Sequence, residues 1–348
     1  MIPALFDRAR LAQSGFLNSR LFSNLSAEPI GLIDIGARWG VSEIFQLVAE
    51  LLDVIAFEAD PEEAERLTQS AGKSAPWSRL RILPFALADS RRMVTLHLLR
   101  RANNSSILPV DMRWYQRYSL AGFEQEKEIE LSAVPLDEVV FGEFGSPRAG
   151  EILKIDTQGS ELAILKGAER TLAERTLCIV CEASFFTVYQ NAPLFPELEL
   201  HLRQRGFSFY GFLDVQQRST RKLDKRKTRG RERFMQADAV FFKDPIERGT
   251  TDARAISTLV VAAMVLGFFD FAIECAALLP IGSEEIGAIV HQVAAVTSDE
   301  VARSLAELNQ RIAADPNHTA VYLGRLVDSL RDLHTYHDVV ISPDKSKS

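Results

Sequence analysis

The sequence predicts an α/β protein with a doubly wound, mostly parallel seven-stranded sheet, followed by a C-terminal all-α region. Three observations favour this fold class. Short β-rich runs alternate with amphipathic helical segments from residue 32 to residue 242, which is typical of successive βαβ units. A glycine-containing loop stands where the first β-rich run meets the first helical segment. Beyond Asp244 only helical periodicity remains.

The first βαβα unit begins with the apolar run at residues 32–35, which predicts the first strand. Residues 41–52 carry apolar side chains at the spacing of a helix with one buried stripe, so a single helix is predicted there. Residues 54–57 predict the second strand. Asp60, with a proline after it, supplies an N-cap for the next helix, which Gly72 can end.

The later elements follow the same alternation. Strands are predicted at residues 81–87, 94–98, 129–134, 152–155 and 177–181, and helices at 160–172 and 196–204. Residues 207–213 and 237–242 are expected to form a closing strand pair. Helices are then predicted at residues 253–266 and 268–279 and, from leucine spacing, around Leu305 and Leu326.

Length and composition suit a two-domain protein, because 348 residues exceed one typical domain and 47% hydrophobic content can fill a core. We expect an N-terminal helical segment over residues 1–25, an α/β domain over 26–246, a helical domain over 247–340 and a disordered tail over 341–348. Three cysteines are too few for a disulfide framework, and the N-terminus lacks a secretory signal. A cytoplasmic location is therefore expected.

Residues 259–279 are apolar and about long enough to be compared with a membrane span. Asp270 and Glu274 interrupt this stretch, and a central acidic residue costs about 2.5–3.5 kcal/mol on insertion scales. Gly267 and the residues after it instead predict a turn between two buried helices. We therefore expect no membrane span.

The loop from Asp34 to Gly40 reads D-x-G-x-x-x-G at a strand-to-helix junction, where backbone N–H groups can approach a ligand. Glu58 follows the second strand, where a carboxylate can accept hydrogen bonds from both ribose hydroxyls. Together they predict a nucleoside pocket. A dinucleotide site requires G-x-G-x-x-G, whereas an acid before the first glycine suits the cationic end of S-adenosylmethionine (SAM). The alternative is a glycine turn that binds no ligand.

Three ordered motifs carry a resemblance to a known family. The chain has DIGARWG at residues 34–40, FEADP at 57–61 and KIDTQGSELAILKGA at 154–168. In these motifs it resembles the FkbM family of methyltransferases, whose pattern includes D-I-G-A, F-E-x-D-P and K-I-D-x-x-G-x-E-x-x-x-L-x-G. The polar segment at 103–106 and the Leu-Asp step at 136–137 look like further family features. The resemblance leaves the helical C-terminus uncovered.

The resemblance implies a Rossmann-like methyltransferase sheet, SAM as cofactor, and methylation of a hydroxyl oxygen on a sugar-like or polyketide-like small molecule or glycan. Arg38 and Trp39 depart from the family, which often has Asn and a small or apolar residue at these positions. The predicted cofactor-binding residues are Asp34, Gly36, Ala37, Gly40, Glu58, Ala59, Ala88 and Asp89. The predicted substrate-binding residues are Asn104, Ser105, Ser106 and Gln158.

Asp156 and Glu182 are the predicted catalytic residues. A sugar-type hydroxyl is a weak nucleophile at neutral pH, so a positioned base or a metal ion would help to remove its proton. In the usual methyltransferase order the strands before these two acids are neighbours, so both carboxylates should reach the crevice at the strand ends. They are candidates for the base, for an acceptor of the substrate hydroxyl or for a shared metal, although no metal ligand is assigned. The alternatives are a cap or turn role for Asp156 and a loop position for Glu182.

Residues 218–233 contain nine Lys or Arg against two acids, a local charge of +7 in a chain whose net charge is −7. This connection should open on the cofactor face of the sheet, where it could attract an anionic acceptor. The alternative is a solvated hairpin loop. An RNA site would be expected to carry aromatic residues between its basic residues, which the run lacks, so an RNA methyltransferase is the less favoured alternative.

Two further hypotheses concern the basic run and the C-terminal helices. Neutralising Lys225, Arg226, Lys227 and Arg229 together should raise the KM for an anionic acceptor at low salt and leave SAM affinity unchanged. The C-terminal helices are expected to offer a surface for a protein partner or a second copy, without cofactor contacts. A rival hypothesis makes the chain a non-catalytic SAM-binding module in which these helices do the useful work.

Overall fold

The computed structural model describes residues 6–71, 76–220, 222–223, 231–249, 251–280, 282–295, 298–316, 319 and 323. The chain divides into two compact units, one of Met1–Thr220 with Glu232–Ala294 and one of Arg221–Arg231 with Ala295–Ser348. The four cations named for neutralisation, Lys225, Arg226, Lys227 and Arg229, lie outside the described residues. Their role stays a prediction, and so does the division of the chain into four segments.

The secondary structure alternates between strands and helices up to residue 242 and is helical after it. The strands are β1 Ile30–Ile35, β2 Leu52–Phe57, β3 Arg79–Leu83, β4 Ala86–Leu87, β5 Arg92–Leu99, β6 Gln125–Val134, β7 Ile152–Ile155, β8 Cys178–Ser184, β9 Ser208–Arg218 and β10 Arg233–Phe242. The helices are α1 Arg8–Gln13, α2 Arg20–Ala27, α3 Glu43–Gln46, α4 Pro61–Ser70, α5 Met112–Tyr118, α6 Leu136–Val140, α7 Glu161–Lys166, α8 Glu169–Glu174, α9 Phe195–Arg203, α10 Pro245–Arg248, α11 Ala253–Leu266, α12 Phe269–Ala277, α13 Ser283–Ala294 and α14 Ser298–Ala314.

A seven-stranded sheet with the order β3-β2-β1-β7-β8-β10-β9 forms the centre of the first unit. The first five strands of this order run parallel, while β10 runs antiparallel to both β8 and β9. This confirms the predicted doubly wound sheet and its closing strand pair. The strand order reverses between β1 and β7, and a crevice for a ligand forms at the carboxyl ends of strands on either side of such a point.

A separate three-stranded sheet with the order β4-β6-β5 was not predicted. The single strand predicted at residues 81–87 is wrong, because it divides at Pro84 into β3 of the large sheet and β4 of the small one. Proline has no N–H to donate to a strand neighbour, so the ladder is interrupted at that residue. The chain can therefore change sheets there.

Two predicted helices are shorter than the sequence pattern suggested. Residues 41–52 form α3 and a 3-10 turn at Ala49–Leu51, because Leu52 already pairs with Ile30 as the first residue of β2. Residues 160–172 break into α7 and α8 around Gly167. A Cβ at Gly167 would lie 2.2 Å from the carbonyl oxygen of Ala88, so the backbone of the neighbouring loop approaches too closely for any other residue.

The two faces of the large sheet are buried in different cores, as alternation along β1 requires. Leu32 faces a core that includes Ile256 of α11 and Phe271 of α12, whereas Ile33 faces a core that includes Ile164 of α7. Gly267 ends α11 in a left-handed conformation with φ +85°, which confirms the predicted turn. No helix in the described part of the chain is long and apolar enough to cross a membrane.

Candidate active site

A cavity of about 300 Å³ opens at the carboxyl ends of β1, β2 and β7. Of the predicted site residues, those that line it are Asp34, Gly36, Gly40, Glu58, Ala59, Ser105, Ser106, Asp156 and Gln158. Those outside the lining are Ala37, Ala88, Asp89, Asn104 and Glu182. Residues 85–87, which directly precede Ala88 in the sequence, line the cavity. The segment that contacts the cavity therefore lies slightly earlier in the chain than the predicted Ala88 and Asp89.

The glycine loop depends on Gly36 for its close approach to the strand beside it. Gly36 has a φ of +85°, and a Cβ there would lie 1.9 Å from the backbone oxygen of Asp156. Gly40 also has a positive φ, but a Cβ there would meet nothing within 4 Å. Asp34 accepts a hydrogen bond of 2.8 Å from the Ser42 N–H, which fixes the far end of the loop. Burial raises the pKa of this Asp34 carboxyl.

The two residues that depart from the family pattern lie at the wall and rim of the cavity. Arg38 pairs with Asp60 at 2.7 Å, and both side chains are largely buried. Because Asp60 also caps α4, this pair fastens the glycine loop to the start of that helix. Trp39 is 67% exposed and has a φ of +74°, which is a strained conformation for a residue other than glycine.

Glu58 and an apolar wall form the part of the cavity that fits a nucleoside. The Glu58 side chain is buried, its Oε1 accepts a hydrogen bond of 2.8 Å from the Asp60 N–H, and burial raises its pKa. The carboxylate lines the same cavity as the apolar residues Phe85, Ala86, Leu87, Leu96 and Ile107. The adenosyl group of SAM requires a carboxylate to accept hydrogen bonds from the ribose hydroxyls and an apolar pocket for adenine. These are the residue types that line this part of the cavity.

The two predicted catalytic acids lie side by side. Strands β7 and β8 are parallel with Ile155 opposite Cys181, so Asp156 and Glu182 follow at the same edge. The Nε2 group of Gln158 lies 2.9 Å from Asp156 Oδ1 and 2.9 and 3.0 Å from the two oxygens of Glu182, and it donates to both carboxylates. The predicted proximity of the two acids is therefore present, with an amide between them.

Both polar atoms of the Gln158 side chain, Nε2 and Oε1, take part in hydrogen bonds. Its φ is +60°, so its backbone is strained, and its carbonyl oxygen accepts a hydrogen bond of 2.7 Å from Ser106 Oγ. The hydroxyl of Tyr189 lies 2.9 Å from Gln158 Oε1 and 2.7 Å from the carbonyl oxygen of Asn104. Gln158 therefore lines the cavity with its amide bonded at both ends, and its contact with a substrate stays a prediction.

The two acids differ in their electrostatic surroundings. Lys154 Nζ lies 3.2 Å from Asp156 Oδ2, and this cation holds the pKa of Asp156 below its usual value although burial opposes that shift. Burial, together with repulsion from Asp156, Glu161 and Asp238, raises the pKa of Glu182 well above its usual value. Burial would lower the pKa of Lys154 itself, but the carboxylates around it raise it. Asp156 is therefore the ionised acid of the pair, and 38% of its side chain is exposed.

Sequence reasoning assigned no role to four residues of this site: Lys154, Glu161, Tyr189 and Asp238. Glu161 is buried and its Oε1 accepts hydrogen bonds of 2.9 and 3.0 Å from the backbone N–H groups of Thr157 and Gly159, which shapes the loop after β7. Asp238 lines the cavity from β10, and the single acid inside the run ADAVFF was a usable signal. Within the described residues, no group of three or more His, Cys, Asp or Glu could hold a metal ion.

Residues 34–209 match the methyltransferase FkbM domain. A methyltransferase FkbM from Methylobacillus flagellatus is similar in structure at 14% identity, with a TM-score of 0.36, over 62% of this chain and 43% of that one. Magnesium protoporphyrin IX methyltransferase from Synechocystis, solved with bound SAM, is similar at 10% identity and a TM-score of 0.30, over 66% of this chain and 79% of that one.

None of the curated proteins matches the sequence. The chain spans less than half the length of the Methylobacillus protein. The domain match covers half of this chain and includes the glycine loop, Glu58, the Asp156 motif and Glu182. The chain therefore belongs to the FkbM family of SAM-dependent methyltransferases.

Proposed function

We propose that this protein transfers a methyl group from SAM to a hydroxyl oxygen of a sugar-like or polyketide-like acceptor. The observation that carries the proposal is the position of Asp156, whose partly exposed carboxylate lines the same cavity as Gly36 and Glu58. A hydroxyl that enters beside Asp156 would lie next to the cofactor. Alignment of the reacting atoms is the main requirement of a methyl transfer.

The residues around Asp156 suit the removal of a hydroxyl proton. When bound, SAM supplies a methyl group that leaves its sulfur as the acceptor oxygen bonds to the carbon. The hydroxyl becomes strongly acidic as that C–O bond forms, so even a carboxylate whose pKa is lowered can take the proton. Lys154, which contacts Oδ2 of Asp156, keeps that carboxylate ionised for this step. Gln158 holds Oδ1 of Asp156 in place through a hydrogen bond. Glu182 retains its proton more readily and suits a supporting role.

The cofactor half of the proposal is tested by replacing Glu58. Glu58→Gln removes the charge but keeps an oxygen to accept the Asp60 N–H, so the fold should persist. Loss of charge-assisted hydrogen bonds to two ribose hydroxyls should weaken SAM binding by about tenfold or more in calorimetry. Glu62→Gln, an exposed acid on the next helix, is the matched control and should bind SAM as the wild type does. Equal affinities in both variants would remove Glu58 from the cofactor site.

The catalytic half is tested by Asp156→Asn. Loss of a positioned general base should lower kcat by about 10²–10⁴-fold, while SAM affinity changes little. The acceptor is found first by incubating the wild type with labelled SAM and separate fractions of cell glycans, lipids and RNA. Label in the glycan or lipid fraction supports the proposal. Label only in RNA, or wild-type kcat in the variant, contradicts it.

A further inference from the structure

Two arginines contact one aromatic cluster next to the candidate active site. The guanidinium carbon of Arg117 lies 5.3 Å from the ring centroid of Trp114 and 5.4 Å from that of Tyr118. The guanidinium carbon of Arg233 lies 4.8 Å from the centroids of both Trp114 and Phe186. Neither arginine has a carboxylate partner in the part of the chain that the structure describes. Both residues are exposed.

The rings of Trp114, Tyr118 and Phe186, which we call the platform, are held in fixed positions. Tyr118 and Phe186 are buried, and Trp114 stacks on Tyr118 with 6.0 Å between ring centroids. The indole N–H of Trp114 donates a hydrogen bond of 3.0 Å to Thr187 Oγ1, which fixes the ring. An exposed cation–π contact contributes only about 0.5–1 kcal/mol. It does, however, restrain an arginine whose N–H edges stay available, so less entropy is lost when an oxyanion binds.

Arg113, a nearby arginine, differs from Arg117 and Arg233 because it has a carboxylate partner. Arg113 lies one turn before Arg117 on α5, and it pairs with Asp111 at 2.6 Å. The charges of Arg113 and Asp111 therefore offset each other. Arg218 stands opposite Arg233 where β9 meets β10, and it adds a third cation on the same side. Three arginines, Arg117, Arg218 and Arg233, therefore lie around the rings, whereas three aspartates line the cavity.

The platform and the catalytic acids are linked by short stretches of chain. Arg233 begins β10, and three residues later Gln236 donates a hydrogen bond of 2.7 Å to Glu182 Oε1. At about 3.3 Å per strand residue, the platform lies roughly 10 Å along the strand from Gln236. The segment that carries Phe186 also carries Tyr189, which contacts Gln158. One acceptor of moderate length could reach both places.

We propose that Arg117 and Arg233 bind a phosphate group of the methyl acceptor, so that the acceptor is a phosphorylated or diphosphate-linked carbohydrate. This inference rests on the proposed function for the identity of the reacting hydroxyl. An anionic group beside Asp156 and Glu182 would be repelled, so it has to bind at a distance from them. The planar fork of each arginine matches phosphate oxygens, which it binds through two N–H groups.

The platform does not suit the stacking of RNA bases. Tyr118 and Phe186 are buried, and Trp114 is flanked by both guanidinium groups. A single-stranded RNA site needs open ring faces on which successive bases stack. The observations therefore favour a small phosphorylated acceptor over a nucleic acid.

The test measures pyrophosphate binding by calorimetry at low salt, without acceptor or methyl transfer. The double variant Arg117→Gln/Arg233→Gln should bind pyrophosphate at least about tenfold more weakly than the wild type, because charge-assisted hydrogen bonds are lost. Arg170→Gln is the matched control, since Arg170 also lies over a ring, that of Phe141 at 3.7 Å, but pairs with Glu174. The control should bind pyrophosphate as the wild type does, and SAM affinity should be equal in all three proteins.

Three results would overturn the inference. They are a wild-type Kd for pyrophosphate weaker than about 10 mM, equal pyrophosphate affinity in the double variant, or an oligouridine that binds more tightly than pyrophosphate through the same arginines. Because the assay involves no methyl transfer, these results would leave the O-methyltransferase proposal standing. Conversely, failure of Asp156→Asn to lower kcat would leave the phosphate site standing.

Discussion

Asp238 is a largely buried acid of the site, and its ionisation destabilises the folded protein. It lies in β10 opposite Glu182, and burial, with repulsion from Asp156, raises its pKa to about 6. The usual value for an unfolded aspartate is 3.8. Below that pH both states hold the proton, so Asp238 has no effect on stability. As the pH rises to about 6 the unfolded chain releases its proton first, so the native state loses stability and does not regain it at higher pH.

Asp238→Asn should therefore stabilise the protein at neutral pH. A pKa difference of about two units corresponds to roughly 1–4 kcal/mol in the free energy of unfolding. The gain should be larger at pH 7.5 than at pH 5, where part of the difference has not yet developed. Urea denaturation at the two pH values measures it, with the exposed Asp89→Asn as the control. An identical gain at both pH values would show that the charge of Asp238 is not the cause.

The supersecondary elements show which parts of the site the sequence could predict. The position of Asp156 beside Glu182 follows from strand order, and strand order follows from the alternation of β-rich and helical runs. The bridge by Gln158 could not be predicted, because it depends on a positive φ and on contacts with Tyr189, 31 residues away. Lys154 begins one of the quoted motifs, but its role could not be predicted because it depends on acids that other strands bring near it.

The breaks within elements were missed for a related reason. The interruption at Gly167 is caused by the backbone of Ala88, a contact between distant segments that periodicity does not record. The apolar pattern of residues 41–52 gave the correct buried side chains but the wrong local geometry, because β2 begins at Leu52. Burial was therefore predicted more accurately than the helix boundaries.

The junction of β1 and β7 should tolerate no side chain at Gly36. Gly36→Ala would place a Cβ 1.9 Å from the Asp156 carbonyl oxygen and would force an unfavourable φ. We expect a loss of at least about 2 kcal/mol in the free energy of unfolding, together with loss of SAM binding. Thermal denaturation and calorimetry measure the two effects.

Gly287→Ala is the control for this substitution. Gly287 lies inside α13, and an added Cβ meets nothing within 4 Å. Alanine is the better helix former, so this variant should gain about 0.5–1 kcal/mol. If Gly36→Ala bound SAM with wild-type affinity, the close approach of the two strands would not shape the site.

At the scale of the whole first unit, one buried ion pair connects the helices after residue 250 to the sheet. Arg254 at the start of α11 donates hydrogen bonds of 3.1 and 2.9 Å to the two carboxylate oxygens of Glu151, which precedes β7. The second of these oxygens also accepts a hydrogen bond of 3.0 Å from the Gly31 N–H of β1. Both side chains are largely buried. The pair thus fixes α11 against the amino ends of two central strands.

Arg254→Ala should destabilise the first unit by about 3–5 kcal/mol, because it leaves the Glu151 carboxylate buried without its counter-charge. Arg148→Ala removes an exposed pair with Glu28, and it should cost less than about 1 kcal/mol. Urea denaturation of the two variants gives the comparison. Similar small losses in both would mean that water replaces the arginine at Glu151.

The acidic wall formed by Asp34, Asp156 and Asp238 also has a consequence for turnover. Methyl transfer converts a sulfonium cation into a neutral thioether, so the attraction between this wall and the sulfonium is present before the reaction and absent after it. The spent cofactor should therefore bind less tightly than the fresh one, which two calorimetric titrations would compare. Product inhibition would then be weak. Loss of the sulfonium charge in the chemical step would itself favour replacement of the spent cofactor by SAM.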